Sequence, residues 1–293
     1  MFFLKITKSP LVVAAVFQLI LTLSACEKVV TDDLNVGASE TRLVIEGGIE
    51  RNPARPDAPQ RIRLTSSLPY LSKEQPPAVE NALMQVSDGT QTWTFEHRGE
   101  GWYEVAGIEP KVGKTYTLDI AWGGDNYQGR SQIEAVPPID SLYYAYEAAT
   151  SITNEGYFVR LDIQDPADVA NFYYFRVLIN GMVFVVPDRG NNRTLILSDA
   201  FFDGQKSTRV NPNEEVRIEI GDTVAVQQMG ITKGYFDYLY SLFTQTGNQG
   251  LSVVGNPPPA PIRSNIINLN NPTRYPLGYF YTSDVSEKSV IIQ

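Results

Sequence analysis

Cys26 is the only cysteine among the 293 residues, and its surroundings make it the most distinctive candidate for chemistry. A thiolate is a strong nucleophile that can be alkylated. Lys5 and Lys8 lie near the start of the chain, and an apolar run follows at residues 11–23. The small residues Ser24 and Ala25 directly precede Cys26. The apolar run has the length of an export leader, about 7–15 residues, and is shorter than the roughly 20 residues of a spanning helix. We therefore expect a leader that is removed next to a modified cysteine.

The segment Leu23-Ser24-Ala25-Cys26 resembles the lipobox of bacterial lipoproteins. The resemblance implies that the Cys26 thiol receives a diacylglyceryl group and that cleavage between Ala25 and Cys26 removes residues 1–25. Two or more acyl chains anchor a protein stably, whereas one chain binds a membrane only marginally. Residues 26–40 are polar and acidic, which is typical of a flexible tether. The alternatives are a buried core cysteine and an ordinary leader with a chance cysteine.

Charge and residue types exclude several classes of function. The net charge is −9, and loss of the leader, which holds two lysines and no acid, would bring it to −11. Such a body disfavours nucleic acid and anionic lipid surfaces as partners. His97 is the only histidine and has no evident nucleophile near it in sequence, so we interpret it as an exposed residue at a strand end. We expect no enzymatic activity and no cofactor.

Two groups of loop acids offer the oxygen ligands that Ca²⁺ prefers, namely Asp162, Asp165 and Asp168, and separately Asp199 and Asp203. Their spacing does not match the calcium-loop motif, and acids in loops most often form turns. We therefore predict no metal site. A hydrolase that uses two loop carboxylates stays an alternative, because sequence spacing cannot tell whether two acids flank a cleft.

Two further segments could bind a partner. An aromatic group could form a platform for a carbohydrate or a peptide, although packing of one face on a sheet is the favoured interpretation; it consists of Tyr235, Phe236, Tyr238, Tyr240 and Phe243. Residues 257–263 (Pro-Pro-Pro-Ala-Pro-Ile-Arg) form an extended segment. That segment is either a docking strip or a stiff connector.

The elements that would position these residues are mainly strands. Over residues 41–137, short alternating segments separated by Gly, Pro and Asp turns predict a β-sandwich domain of immunoglobulin-like or transthyretin-like kind. Pro137 and Pro138 mark a boundary, and a second β-rich domain is predicted over residues 138–293. In that domain the pattern predicts strands at 214–227, split around Gly221-Asp222, and at 277–282 and 288–292, among others.

One segment breaks the strand pattern. Aromatic and leucine residues recur at three- and four-residue intervals after Thr232, a plausible N-cap. This spacing predicts a single α-helix over residues 232–246. The overall prediction is a mainly β protein of two sandwich-like domains, with one helix in the second.

Several stretches in fixed order and spacing carry a resemblance over nearly the whole chain from Cys26 onwards. They include residues 43–47, 137–143, 221–224, 257–266 and 277–280. Together they resemble the lipoproteins of the Bacteroidota called domain-of-unknown-function family 4249. The resemblance implies an outer-membrane lipoprotein, often encoded beside a TonB-dependent receptor, and implies no catalytic residues.

These features lead to one expected function and two alternatives. We expect a lipid-anchored, non-enzymatic protein of the cell envelope that helps a TonB-dependent transporter to capture or admit a substrate. The alternatives are a structural or adhesive surface lipoprotein and a carboxylate-based hydrolase. The resemblance implies the outer membrane, and the sequence leaves open its cell-surface or periplasmic face, the ligand, the transporter and the oligomeric state.

The lipobox interpretation predicts that Cys26→Ser abolishes acylation, because a hydroxyl cannot replace the thiol nucleophile. Metabolic labelling with a fatty-acid probe should mark the wild-type protein and not the variant, which should keep its leader and run as a larger precursor. Ser24→Ala keeps a small residue beside the cysteine, and this control should be labelled and cut normally. Undiminished labelling of Cys26→Ser would refute the interpretation.

Overall fold

The computed structural model describes residues 40–69, 72–150, 155–183, 195–212, 218–246 and 262–293. Cys26, the leader and nearly all of the tether lie outside these ranges, as do residues 257–261 of the proline-rich segment. Residues Glu40–Gln293 form one compact unit. Within the described ranges, no helix combines the length and apolar character that a membrane span requires.

Strands dominate the described residues, which confirms the predicted mainly β class with one helix. The elements are β1 (Leu43–Arg51), β2 (Gln60–Ser66), β3 (Leu83–Ser87), β4 (Thr92–Gly99), β5 (Trp102–Val105), β6 (Thr115–Trp122), β7 (Asp125–Gln132), β8 (Ile139–Glu147), β9 (Gly156–Gln164), β10 (Phe172–Ile179), β11 (Met182–Val183), β12 (Ile196–Ser198), β13 (Lys206–Val210), β14 (Thr223–Gly230), α1 (Lys233–Thr246), β15 (Ile266–Asn268) and β16 (Leu277–Ile291). A short 3-10 turn, Asp199–Phe201, follows β12.

Alternation of residue types explains the strands locally. In β2 the side chains of Ile62 and Leu64 are buried, while Arg61 is exposed and Arg63 is half-buried. Successive side chains of a strand point to opposite faces, so this sequence can cover a core with one face and meet solvent with the other.

The strands form two sheets. The larger sheet runs β11-β10-β14-β16-β1-β2-β5-β4-β3-β6-β7-β15, with β12 also paired to β10, and the smaller sheet runs β13-β9-β8. Among the described strands only β1 and β16 pair in parallel. The strand β4 changes partner along its length, from β3 in its first half to β5 in its second half. This change lets the larger sheet enclose a core.

Two hydrophobic cores lie on either side of the predicted boundary at residue 137. The first takes its residues from 43–133, together with Ile266 and Phe280. The second lies between the smaller sheet and strands β10 and β14, with residues from 139–292. The C-terminal segment thus contributes to both cores, which explains why Glu40–Gln293 is one compact unit.

β16 departs from the prediction of two short strands at 277–282 and 288–292, since it is one continuous strand. The intervening residues, 283–287, are polar except for the buried Val285, and their sequence does not alternate as a strand usually does. In the structure their polar side chains find partners. Asp284 accepts from the Arg51 guanidinium at 2.6 Å, and the Ser286 hydroxyl accepts the Ile139 N–H at 2.9 Å. Hydrogen-bonded polar side chains can be buried at little cost, so the strand continues.

Of the segment predicted at 214–227 and split around Gly221-Asp222, residues 214–217 lie outside the described residues. The split is observed, because Asp222 closes a turn by accepting the Glu219 N–H at 2.9 Å and β14 begins at Thr223. The strand β13 was not predicted, since its sequence Lys-Ser-Thr-Arg-Val is mostly polar and its pairing with β9 is irregular.

The helix α1 agrees with its predicted range, 232–246. The Thr232 hydroxyl accepts the Tyr235 N–H at 3.2 Å, which is the expected N-cap contact. Tyr235, Leu239 and Phe243 are buried at four-residue intervals and belong to a third apolar cluster with β16 residues. That face fixes α1 against the larger sheet.

The parallel pair of β1 and β16 requires a glycine at position 48. A Cβ atom there would lie 1.9 Å from the Tyr281 carbonyl oxygen. We expect Gly48→Ala to lower the free energy of unfolding by about 3 kcal/mol or more, because overpacking against backbone forces the strands apart. Gly156→Ala is the matched control, since its Cβ meets only the Phe158 ring at 4.0 Å. Urea denaturation of both variants checks this, and equal stabilities would contradict it.

Candidate binding cleft

A cavity of about 590 Å³ lies over the larger sheet, between α1 and the connection from β1 to β2. Strands β10, β14, β16 and β1 supply its floor, and α1 supplies one wall. Residues from opposite ends of the chain meet there, because β16 lies between β1 and β14. The size suits a small ligand.

A charged pair occupies the floor. The Arg176 guanidinium donates to both carboxylate oxygens of Glu50, at 2.8 and 2.7 Å, and the Tyr281 hydroxyl donates to Glu50 at 2.6 Å. The two charged side chains are only 18% and 23% exposed. Burial alone would raise the pKa of Glu50, but the charge and hydrogen bonds of Arg176 outweigh it and hold that pKa below 4.5. The pair is therefore ionised at neutral pH.

A second carboxylate, Glu287, is held nearby by three donors. It accepts from Asn52 at 2.9 Å, from Arg55 at 2.6 and 3.1 Å, and from Gln227 at 2.7 Å. Gln227 stands opposite Glu287 in the β14–β16 register, which aligns the two side chains. Burial raises the pKa of Glu287, but these hydrogen bonds and the Arg55 charge lower it overall.

Tyrosine rings form the wall on the α1 side. Tyr235 stacks on Tyr281, with ring centres 4.8 Å apart, and Tyr238 contacts Tyr279 at 5.0 Å. Tyr235 and Tyr238 are three residues apart on α1, so both face the sheet. Tyr235 and Tyr279 are buried, whereas Tyr238 is half-buried and faces the cleft.

The predicted aromatic group is thus divided. Tyr235 and Phe243 are buried in the core, as the favoured interpretation had it, whereas Tyr238 lines the cleft, together with the edge of Tyr235. Tyr240 is 58% exposed and stacks on Phe236 at 6.4 Å. It does not line the cleft.

The loop acids come together only in part. Carboxylate oxygens of Asp165, Asp199 and Asp203 lie within 4.8 Å of one another and could hold a cation. Asp203 accepts the Asp168 N–H at 3.0 Å. Asp162 is elsewhere and accepts from the Ser141 hydroxyl at 3.0 Å.

Hydrogen bonds from neighbouring strand and loop residues give Asp165 and Asp199 a structural role. Asp165 accepts from the Tyr173 hydroxyl at 2.5 Å and from the Gly204 N–H at 3.0 Å. Asp199 accepts the Asn171 N–H at 2.6 Å. These contacts fit the predicted turn-forming role of the acids.

His97 lies inside β4 and is half-buried, so its interpretation as an exposed strand-end residue was wrong. Its ring packs 5.2 Å from the Tyr103 ring. The Tyr103 hydroxyl donates to the Val79 carbonyl and accepts the Ala82 N–H. His97 therefore packs against a residue that is already engaged structurally.

Sequence reasoning missed the charged groups of the cleft. Glu50 is 126 positions from Arg176 and 231 from Tyr281, so no local spacing connects them. The available signal was an arginine in the middle of the apolar strand Phe-Tyr-Tyr-Phe-Arg-Val-Leu-Ile. A charge at such a position is rarely buried without a partner.

A family model matches most of the chain. The family model described as "Domain of unknown function (DUF4249)" matches residues 30–289. No curated protein matches the chain.

The ion pair predicts a pH-dependent stability difference between the wild type and Glu50→Gln. Removing one partner of a buried pair leaves the other uncompensated, so we expect a loss of about 3 kcal/mol at neutral pH. The folded-state pKa of Glu50 is lowered, so its contribution is fully present above its unfolded value of 4.5. It is lost as the pH falls through the folded-state pKa.

Denaturation curves at several pH values measure this difference. It should be constant above about pH 5 and should shrink towards lower pH. Glu96→Gln is the matched control, because its pair with Arg98 is exposed, at 68% and 55%, and it should change stability by less than about 1 kcal/mol. A difference for Glu50→Gln that does not depend on pH would contradict the assignment.

Proposed function

We infer the function of the chain from the premise that it belongs to the family described as "Domain of unknown function (DUF4249)", a description that assigns no activity. We propose a lipid-anchored, non-enzymatic binding protein of the cell envelope. It would hold a small polar substrate in the cleft and pass it to a TonB-dependent outer-membrane transporter. The observation that carries this proposal is the cleft, with its fixed charged floor and tyrosine wall.

The protonation of the cleft carboxylates supports binding over hydrolysis. A general acid works best when its pKa is raised towards the working pH. The pKa values of Glu50 and Glu287 are both lowered, and both side chains accept several hydrogen bonds. Neither carboxylate is suited to donate a proton to a leaving group. Hydrogen bonds that fix these side chains also suit a binding site, because side chains that are already ordered lose little conformational entropy when a ligand binds.

The anchor supports delivery to a membrane protein. The lipobox at Cys26 and the polar tether at 26–40 would place the body near the membrane. Attachment to the same membrane would raise the local concentration of the cleft around a transporter.

We expect a TonB-dependent transporter to co-purify with the lipidated protein from native membranes. Deletion of the protein should reduce uptake of at least one nutrient, and re-expression of Cys26→Ser should restore it poorly, because the body loses its anchor. Ser24→Ala, which keeps the anchor, should restore uptake fully. If no transporter co-purifies and deletion leaves all uptake unchanged, the proposal fails. Binding of the protein to whole cells or matrix without a transporter would favour the adhesive alternative.

A further inference from the structure

We infer that the cleft binds a neutral oligosaccharide, an inference that rests on the binding function proposed above. It deepens that proposal by naming the class of substrate. Four features carry it: the pairing of charges, the remaining hydrogen-bonding capacity, the placement of aromatic rings, and the lack of open strand edges in the floor.

The arginines that line the cleft are paired with carboxylates. Arg176 binds Glu50, and Arg55 binds Glu287 at 2.6 Å. At the rim, Arg61 binds Glu104 at 2.8 Å. An anionic ligand would therefore find each of these arginines already neutralised and would have to displace a carboxylate. A ligand without charge avoids that cost.

Part of the hydrogen-bonding capacity of these groups remains. A carboxylate has about four acceptor sites, of which Glu50 uses three for Arg176 and Tyr281, and Arg176 keeps a buried Nε–H that has no partner among the described residues. A hydroxyl group both donates and accepts, so it can satisfy carboxylate and guanidinium groups alike. A polyhydroxylated ligand matches this set better than an apolar one, which would leave the buried groups unpaired.

Aromatic rings stand at both ends of a row that crosses four strands. The register places Tyr279, Glu46, Arg63 and Trp102 side by side on β16, β1, β2 and β5. Three strand spacings amount to roughly 14 Å. Tyr238 packs on the Tyr279 end, and Trp102 is 39% exposed at the other.

That row has the form of an elongated carbohydrate site. The apolar C–H faces of sugar rings pack on aromatic rings, as other apolar groups do. Glu46 is exposed between the two aromatic ends and can accept from ring hydroxyls. The separation of the aromatic ends favours an oligosaccharide over a single sugar.

The strand arrangement disfavours a peptide. Extended peptides commonly bind by adding a strand to an open sheet edge. The floor strands β14, β16 and β1 each pair with a neighbour on both sides, so their backbone groups are already used. The floor strand β10 pairs with β14 on one side and, near its two ends, with β11 and β12 on the other. A peptide would have to bind through side chains alone.

The experiment measures binding of the full lipidated protein in detergent micelles to immobilised probes. The probes are neutral hexose oligosaccharides of various linkages, uronate-containing oligosaccharides of similar length, and peptides. We expect at least one neutral oligosaccharide to bind, and Tyr238→Ala and Trp102→Ala each to weaken it at least tenfold. Tyr240→Ala removes an exposed tyrosine of α1 outside the cleft, and it should leave affinity unchanged. Thermal melts identify any variant that fails to fold. If one of the two cleft variants is unfolded, the affinity of the other for the neutral oligosaccharide tests the inference.

Three results would overturn the inference. One is neutral-oligosaccharide binding that withstands both cleft substitutions, which places the ligand elsewhere. Another is cleft-dependent binding of peptides or uronate probes with no neutral probe bound, which leaves the proposed binding function intact. The third is that no probe binds while transporter co-purification and uptake behave as proposed. Failure of the proposed function itself shows separately, as absence of the transporter and unchanged uptake.

Discussion

The strand β16 hydrogen-bonds to β1 through its first half and to β14 through its second half, and both cores depend on that shared strand. The backbone of β16 lies so close to β1 at position 48 that a Cβ atom there would overlap the Tyr281 carbonyl oxygen. Once β16 is in place, residues from opposite ends of the chain stand on neighbouring strands. Arg51 of β1 then pairs with Asp284 of β16, and Glu50 of β1 pairs with Arg176 of β10 across β16 and β14.

Burial of charge at this junction is tolerable because every charged group there has an opposite partner. An isolated buried charge costs several kcal/mol, whereas a bidentate pair with further hydrogen bonds offsets most of that cost. The tyrosine hydroxyl on Glu50 and the amides on Glu287 complete these networks. The same completeness fixes the side chains in place, and fixed polar groups beside an open cavity are what a selective binding site requires. Fold and candidate site thus share one set of contacts.

Local pattern predicted most of the fold, because alternation and turn residues act within a few positions. It located most strands and the helix with its cap at Thr232, and it gave the mainly β class. It misjudged β16, since polar residues at 283–287 look like a loop unless their partners on other strands are known. The burial of His97 was missed for a related reason. Its imidazole packs on Tyr103 of the next strand, and the residues adjacent to His97 in sequence do not indicate that contact.

The candidate site was nearly invisible to sequence reasoning because none of its charged pairs is local. The sequence did contain charged residues at positions where a strand usually has apolar ones. Arg176 lies within an apolar strand, and acids lie within the alternating segments near the C-terminus. Each exception implies a distant partner, since a strand that buries a charge must find its counter-charge on another strand. Two such exceptions of opposite sign in one chain are therefore candidates for each other. In this fold the rule would have paired Arg176 with an acid of another strand, and the order and register of the strands select Glu50 among those acids.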